Sequence, residues 1–304
     1  MPAGPAIDII GAAIGSGAPQ PGCEAGPQAL RAAGLAQALT VADGSVQWVA
    51  DVADRVRSAA AADPSQRLAA LADFSPRLAE AVAASCRAGR MPVIVGGDHG
   101  SAVGTWSGVA LALGRDQPPG LVWIDAHLDA HTPDSSASRM PHGMPLAALL
   151  GEGPAALAGL GGWAPKLQPR HVVVVGARSW EAAERARLDR LGVRVIAGDA
   201  LRGDGLAAAL AQARAVASAA PGGWGLSIDL DALDPSEVGG FGSPEPGGPP
   251  LVALAAALTG WGHGAGLRAV ELAEYNPRLD ADGRGARAAL ALLAAVFTPG
   301  GATG

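Results

Sequence analysis

A chain of 304 residues that is 49% hydrophobic and only 16% charged can bury a large core, which excludes an intrinsically disordered chain. Its formal net charge of −6 leaves no broad basic footprint, so neither nucleic acid nor an anionic membrane surface is expected as a partner. Two cysteines, Cys23 and Cys86, are too few for a disulfide framework and are expected as reduced, partly buried thiols.

The opening MPAGPAIDIIGAAIGSG has no basic residue ahead of its apolar stretch, so it reads as a first strand, 7–10, and a turn, not as an export signal. A helix over 78–90 then leads into a strand at 93–95, and a further strand follows at 121–124. Beyond a polar loop at 132–145 and an excursion at 151–170 come strand 172–175 and helices 181–191 and 206–219. Strand 224–228, a Gly/Pro-rich loop at 235–250, helix 250–258, strand 267–270 and helix 286–297 complete the order. Ala and Gly make up much of the apolar content, so the helices are expected to pack closely. No apolar run is long enough for a convincing membrane helix, and a cytoplasmic location is the expectation. Strands that read as continuous apolar runs, alternating with helices, predict an α/β fold. The expected architecture is a single-domain, three-layer α/β/α unit over 1–304 with a mostly parallel, doubly wound sheet and a loose tail from about 299.

Such sheets bind ligands at the carboxyl ends of their strands. Four of those ends carry metal-ligand residue types: VIVGGDHG with His99; LVWIDAHLDAHTP with Asp125, His127 and Asp129; GLSIDLDALDP with Asp229 and Asp231; AVELAEYNP with Glu274. Residues two apart on an extended segment share a face, so Asp125, His127 and Asp129 can converge, and so can Asp229 and Asp231. Four buried carboxylates would repel one another and lose hydration, a cost that two divalent cations relieve and one does not. Oxygen-rich ligands with two imidazoles and no thiolate suit manganese, with zinc, iron, cobalt or nickel possible in the same frame. Two cations roughly 3.5–4 Å apart can activate a shared water, which makes metal-assisted hydrolysis the expected reaction class.

GGDHG, DAHLDAH, SIDLDALDP and EYNP resemble the signature segments of the arginase (ureohydrolase) family, which includes arginases, agmatinases, formiminoglutamases and guanidinobutyrases. The resemblance spans nearly the whole chain, and GCEAGPQALRAAGL, HGMPLAALLG and GSPEPGG extend it. It implies that His99 and Asp129 bind one manganese ion only, that His127 and Asp231 bind the other only, and that Asp125 and Asp229 bridge both. It also implies that a bridging hydroxide attacks the guanidino carbon, that Asp129 moves a proton to the leaving amine, and that His142 is the proton shuttle. Glu274 would pair with the substrate guanidinium, with Ser243 at a hydrogen-bonding position. His131, Ser136 and Ser138 match positions that read the substrate α-carboxylate, and Glu181 and Glu184 match two near its α-amino group. As plain residues, the serines are ordinary loop hydroxyls and the two acids suit the first turn of a helix.

The expected function is hydrolysis of L-arginine to L-ornithine and urea. His131, Met140 and Glu181 depart from the usual arginase residues, so agmatine, guanidinobutyrate or a formimino compound is the alternative substrate. A non-catalytic metal-binding homologue is a weaker alternative, because all six ligand types are retained. A homo-oligomer, trimer or hexamer, is implied by the resemblance. Asp98 and Asp234 are expected to support the ligands by hydrogen bonds. His171 and His263 read as structural or surface residues, and the seven tryptophans read as packing.

Overall fold

The computed structural model describes residues 4–39, 44–55 and 63–299. The loose tail expected from about 299 therefore falls almost wholly outside the described residues. Within them the apolar runs become strands β1 (Ile7–Ala13), β2 (Val46–Ala53), β3 (Met91–Val95), β4 (Gly120–Ile124), β5 (Val172–Ala177), β6 (Arg194–Ala197), β7 (Trp224–Asp229) and β8 (Leu267–Ala273). One sheet joins them in the order β2-β1-β3-β8-β7-β4-β5-β6, and every pairing is parallel. The doubly wound sheet is thus as expected, with no antiparallel strand among the described residues.

The helices are α1 (Gly26–Ala32), α2 (Leu35–Ala38), α3 (Pro64–Arg87), α4 (Ala102–Leu113), α5 (Pro145–Leu149), α6 (Ala155–Ala158), α7 (Ala182–Leu191), α8 (Gly205–Ser218), α9 (Leu251–Leu258) and α10 (Arg284–Phe297). They form two layers. On one face of the sheet Val93, Val95, Val122, Ile124, Val173 and Val175 pack with Leu30, Leu35, Leu210, Leu254 and Leu292. On the other, Ile94, Leu121, Trp123, Val172 and Val174 pack with Leu71, Leu78, Val103, Leu146 and Leu188. Successive strand residues alternate between these cores, which is why the strands read as unbroken apolar runs. No described helix is long and apolar enough to cross a membrane.

Four elements differ from expectation. Strands β2 and β6 lie at the sheet edges, where exposure replaces the apolar run that marks an inner strand. Helix α3 begins at Pro64, with Asp63 accepting from Ser65 N at 3.1 Å, well ahead of the expected 78. Pro76 lies inside it and reads locally as a helix stop. Helix α4 is buried on almost every side and so lacks the amphipathic period that announces a helix. Its Gly104 faces Leu78 and Ser75 O of α3, where an added Cβ would stand 2.9 Å from each. The close helix packing expected from the composition is realised there.

Gly225 makes room of another kind. A Cβ there would come within 2.0 Å of the Trp106 ring, which occupies the space above β7. Gly225→Ala is therefore expected to destabilise the fold by about 1–3 kcal/mol through overpacking. Chemical denaturation would check this, and unchanged stability would mean that Trp106 can move aside.

Candidate metal centre and its cavity

The neighbouring central strands β3, β8, β7 and β4 deliver the residues picked out in the sequence. After β3, Gly96 and Gly97 take φ of 78° and 79°, turning the chain into the short helical turn that carries His99. Asp98 caps this turn, accepting from Gly100 N at 3.0 Å and from Gly17 N at 2.9 Å. After β4, Asp125 accepts from His127 N at 2.7 Å; Asp229 at the end of β7 accepts from Asp231 N at 2.8 Å. Asp129 and Glu274 both hold positive φ, 48° and 64°. Such backbone costs about 1–3 kcal/mol per residue and persists where surrounding structure enforces it.

These segments bring six ligand-type side chains into two overlapping groups. His99 Nδ1 lies 2.9 Å from Asp229 Oδ2, 3.1 Å from Asp129 Oδ2 and 3.2 Å from Asp125 Oδ2. His127 Nδ1 lies 3.1 Å from Asp231 Oδ2 and 3.5 Å from Asp125 Oδ1. Asp125 belongs to both groups, one oxygen to each; Asp229 falls in the His99 group.

Without a cation this cluster is electrostatically frustrated. Burial and then the Asp125 charge push Asp129 up to about 6. Burial, followed by Asp231 and Asp125, holds Asp229 well above the usual carboxylate range. Burial also raises Asp231, against the pull of His127. Asp125 is driven the other way: burial opposes its ionisation, but His127 and His99 outweigh it. Burial disfavours charge on both imidazoles too, yet the carboxylates around them hold both pKa values well above the ordinary histidine value. His99 Nδ1 is buried and has no well-formed hydrogen bond although it faces three carboxylate oxygens. An imidazole nitrogen and several carboxylates converging on one buried point is a donor set that fits divalent cations once the ring gives up its proton.

The supporting side chains divide into three kinds. Trp123 stacks on His99 with ring centroids 4.1 Å apart and donates from Nε1 to Asp125 Oδ2 at 2.8 Å. On the far side of His99, Nε2 meets Ser227 Oγ at 3.0 Å, and Ser227 donates to Glu271 at 2.9 Å. Arg178 donates to the carbonyls of Asp231, Leu233 and Glu245, tying the Asp231 turn to the Gly/Pro-rich loop. None of these was singled out in the sequence. The available signals were an acid inside the apolar run of β8 and a tryptophan two residues before Asp125. Trp123 thus does more than pack.

Asp98 supports His99 through the backbone of its turn. Asp234 departs from expectation: it accepts from Ser236 N, Ser236 Oγ and Gly247 N, bracing the 235–250 loop and not the ligands. It lies past the buried turn at Asp231, where the chain has already left the cluster. His171 and His263 bond backbone carbonyls of Val216 and Phe297, as structural residues do. Both cysteines are free.

A cavity of about 230 Å³ opens onto the cluster. His127, Asp129, Asp229, Asp231 and Glu274 line it together with His131, Ser136, Ser138, Met140, His142, Trp180, Glu181, Glu184 and Ser243. His99 and Asp125 are fully buried and do not line it. His142 Nδ1 lies 3.0 Å from Glu274 Oε1, which also accepts from His99 N at 2.8 Å. Burial lowers the His142 pKa, but Glu274 more than reverses this and raises it to about 9.

At the mouth, Glu181 and Glu184 form a reciprocal cap on α7. Glu184 also accepts from Ala130 N at 3.1 Å, and its Oε2 lies 3.0 Å from His131 Nε2. Ser136 and Ser138 accept from Arg139 N and Met140 N, so both hydroxyls brace their own loop while lining the cavity. A wider groove of about 750 Å³, bounded by Leu201, Ala207 and Pro250, shares no lining residue with this cavity.

The Arginase family model matches residues 5–298. An arginase of Bacillus caldovelox is 34% identical over 96% of this chain and 97% of its own length. An arginase of Agrobacterium fabrum (strain C58) is 36% identical over 95% and 90%. The crystal structure of Bacillus subtilis arginase superposes with a TM-score of 0.86 at 31% identity, covering 96% of this chain and 98% of that one. With the match running across all the strands that feed the acid–imidazole cluster, this chain belongs to the arginase family and is a metal-dependent hydrolase of guanidino compounds.

Proposed function

We propose that the chain hydrolyses L-arginine to L-ornithine and urea with two manganese ions. The observation that carries this reading is Asp125, a single carboxylate shared between two histidine–carboxylate groups beside a cavity lined with Glu274, His142 and the outer acids Glu181 and Glu184. In this reading His99 and Asp129 would hold one cation, His127 and Asp231 would hold the other, and Asp125 and Asp229 would serve both. Bound there, the cations lower the pKa of water enough for hydrolysis near neutral pH.

The chain's own groups then orient the substrate and move protons. Glu274 accepts hydrogen bonds from the guanidinium, with Ser243 beside it. Asp129 takes the proton released on attack and passes it to the leaving amine. His142, whose pKa is raised to about 9 in the metal-free fold, is the proton shuttle that lets the amine depart protonated. Glu181, Glu184, His131, Ser136 and Ser138 hold the amino-acid end. The same reading takes 1–304 as one catalytic domain, working in the cytoplasm as a homo-oligomer, trimer or hexamer.

His142→Asn is expected to lower kcat about 10²–10⁴-fold with metal content unchanged. The pH–rate profile should also lose its alkaline limb, since the wild-type donor is depleted as pH rises through its pKa. A variant with wild-type kcat would remove His142 from the mechanism.

One observation favours a second substrate. Among the described residues neither lysine nor arginine lines the cavity, and His131 Nε2 is already directed at Glu184. That charge balance suits a distal amine without a carboxylate, as in agmatine. Urea release by the manganese-loaded protein from L-arginine, agmatine and 4-guanidinobutyrate decides the matter. Arginine is expected to be turned over best; urea from agmatine alone would overturn the arginine assignment and leave the hydrolase intact.

A further inference from the structure

We infer that Glu271 is a positioning residue that acts through Ser227 to hold His99 in the ring tautomer able to face a cation. The inference rests on the metal-centre reading above. Glu271 lies within β8, in register with Ser227 of β7, and both are fully buried, as are His99, Ser101, Thr105 and Trp106. Burying a carboxylate in a core is costly unless its charge is balanced and its lone pairs are satisfied.

The lone pairs are satisfied by four neutral donors. Thr105 Oγ1 at 2.7 Å and Ser101 Oγ at 3.2 Å donate to Oε1. Ser227 Oγ at 2.9 Å and Trp106 Nε1 at 3.0 Å donate to Oε2. Among the described residues neither lysine nor arginine pairs with it, and the hydrogen bonds lead from it through Ser227 to His99.

The donor and acceptor roles set a direction. An ionised carboxylate only accepts and an indole N–H only donates. Ser227 commits its one proton to Glu271, so toward His99 Nε2, 3.0 Å away, its oxygen accepts. The ring proton therefore stays on Nε2 when a cation displaces the one on Nδ1, and the Nδ1 lone pair faces Asp125, Asp129 and Asp229. Packing alone does not require the charge. A glutamine could turn its amide oxygen to Trp106 and Ser227 and its NH2 to the two hydroxyls. What a glutamine lacks is the negative charge that strengthens the histidine as a ligand.

The test is calorimetric titration of the metal-free protein with Mn²⁺, comparing wild type, Glu271→Gln, Ser227→Ala and the control Thr105→Val. Wild type is expected to bind two cations per chain. Glu271→Gln and Ser227→Ala should weaken one of the two by about 10–100-fold and leave the other, which Asp125, His127 and Asp231 hold. Thr105→Val, which removes one donor but leaves the Ser227 link, should change neither. In the zinc-loaded form, ¹⁵N NMR should show the His99 proton on Nε2 in wild type and lose that protected signal in Ser227→Ala. Ser227→Ala leaves Glu271 three donors and carries the test if Glu271→Gln does not fold. Wild-type affinities in both variants, or equal weakening of both cations, would overturn the inference while sparing the metal centre. A wild-type chain that binds fewer than two cations would overturn both.

Discussion

Replacing Asp125 with asparagine is expected to lower hydrolysis at least about a thousandfold and to leave fewer than two cations per chain. Among the described residues Asp125 is the one carboxylate with an oxygen in each histidine group, Oδ2 toward His99 and Oδ1 toward His127. Asparagine carries the same shape with one oxygen and one NH2, so one group must lose its ligand. Neither orientation is comfortable. Trp123 Nε1 donates to Oδ2 at 2.8 Å and the His127 N–H donates to Oδ1 at 2.7 Å, so the amide NH2 meets a donor on whichever side it takes. The loss of one negative charge also weakens attraction for both cations at once. His127→Asn, by contrast, touches one group and should leave one cation bound. Metal analysis of the purified variants, with circular dichroism to confirm the fold, separates these outcomes. An Asp125→Asn variant that keeps two cations and near-wild-type turnover would sink the shared-ligand reading.

What could be read from the residues alone follows from where each element lies. Inner strands such as β4 and β5 are buried on both faces, so Val and Ile run unbroken and announce themselves. The parallel order follows from those runs alternating with helices, and the cluster follows from acids and histidines placed just past their ends. Edge strands β2 and β6 lack the run because one side of each is open. Helix α4 lacks a period because it is enclosed. In each case burial, not propensity, decides what the sequence displays.

The supporting contacts were hidden for a different reason. Ser227 and Glu271 are far apart in sequence, and only the β7–β8 register makes them neighbours. Nothing local says that Trp106 of α4 reaches across Gly225 to the same carboxylate. The outer cavity was legible only as residue types. Glu184 reads as a helix-start acid or as a substrate contact, and the structure has it capping α7 while reaching His131. Hydrogen bonds within irregular loops, such as those of Ser136 and Asp234, depend on loop paths that periodicity does not encode.

Removing metal should turn the pH dependence of stability around. In the metal-free fold Asp129 is raised to about 6 and Asp98 to about 7, with Asp229 and Asp231 also raised. In the unfolded chain these groups ionise near 3.8. Between about pH 4 and 7 the folded state thus binds more protons than the unfolded state, so its stability falls as pH rises through that window. His99 and His127, also raised, extend the decline above pH 6.5. Asp125 acts oppositely, since its lowered pKa contributes stability lost only as pH falls below the ordinary carboxylate range. Cation binding reverses the slope because it needs the ligands deprotonated and releases their protons. At a thousandfold excess over Kd each cation adds about 4 kcal/mol, so the two together should raise Tm by roughly 10–20 °C near pH 8. That gap should shrink toward pH 5. Thermal unfolding at pH 5, 6, 7 and 8, in manganese and in chelator, measures both slopes. A chelated protein whose Tm holds level or climbs from pH 5 to 7 would show that the carboxylates are not in the frustrated state that makes this cluster a metal site.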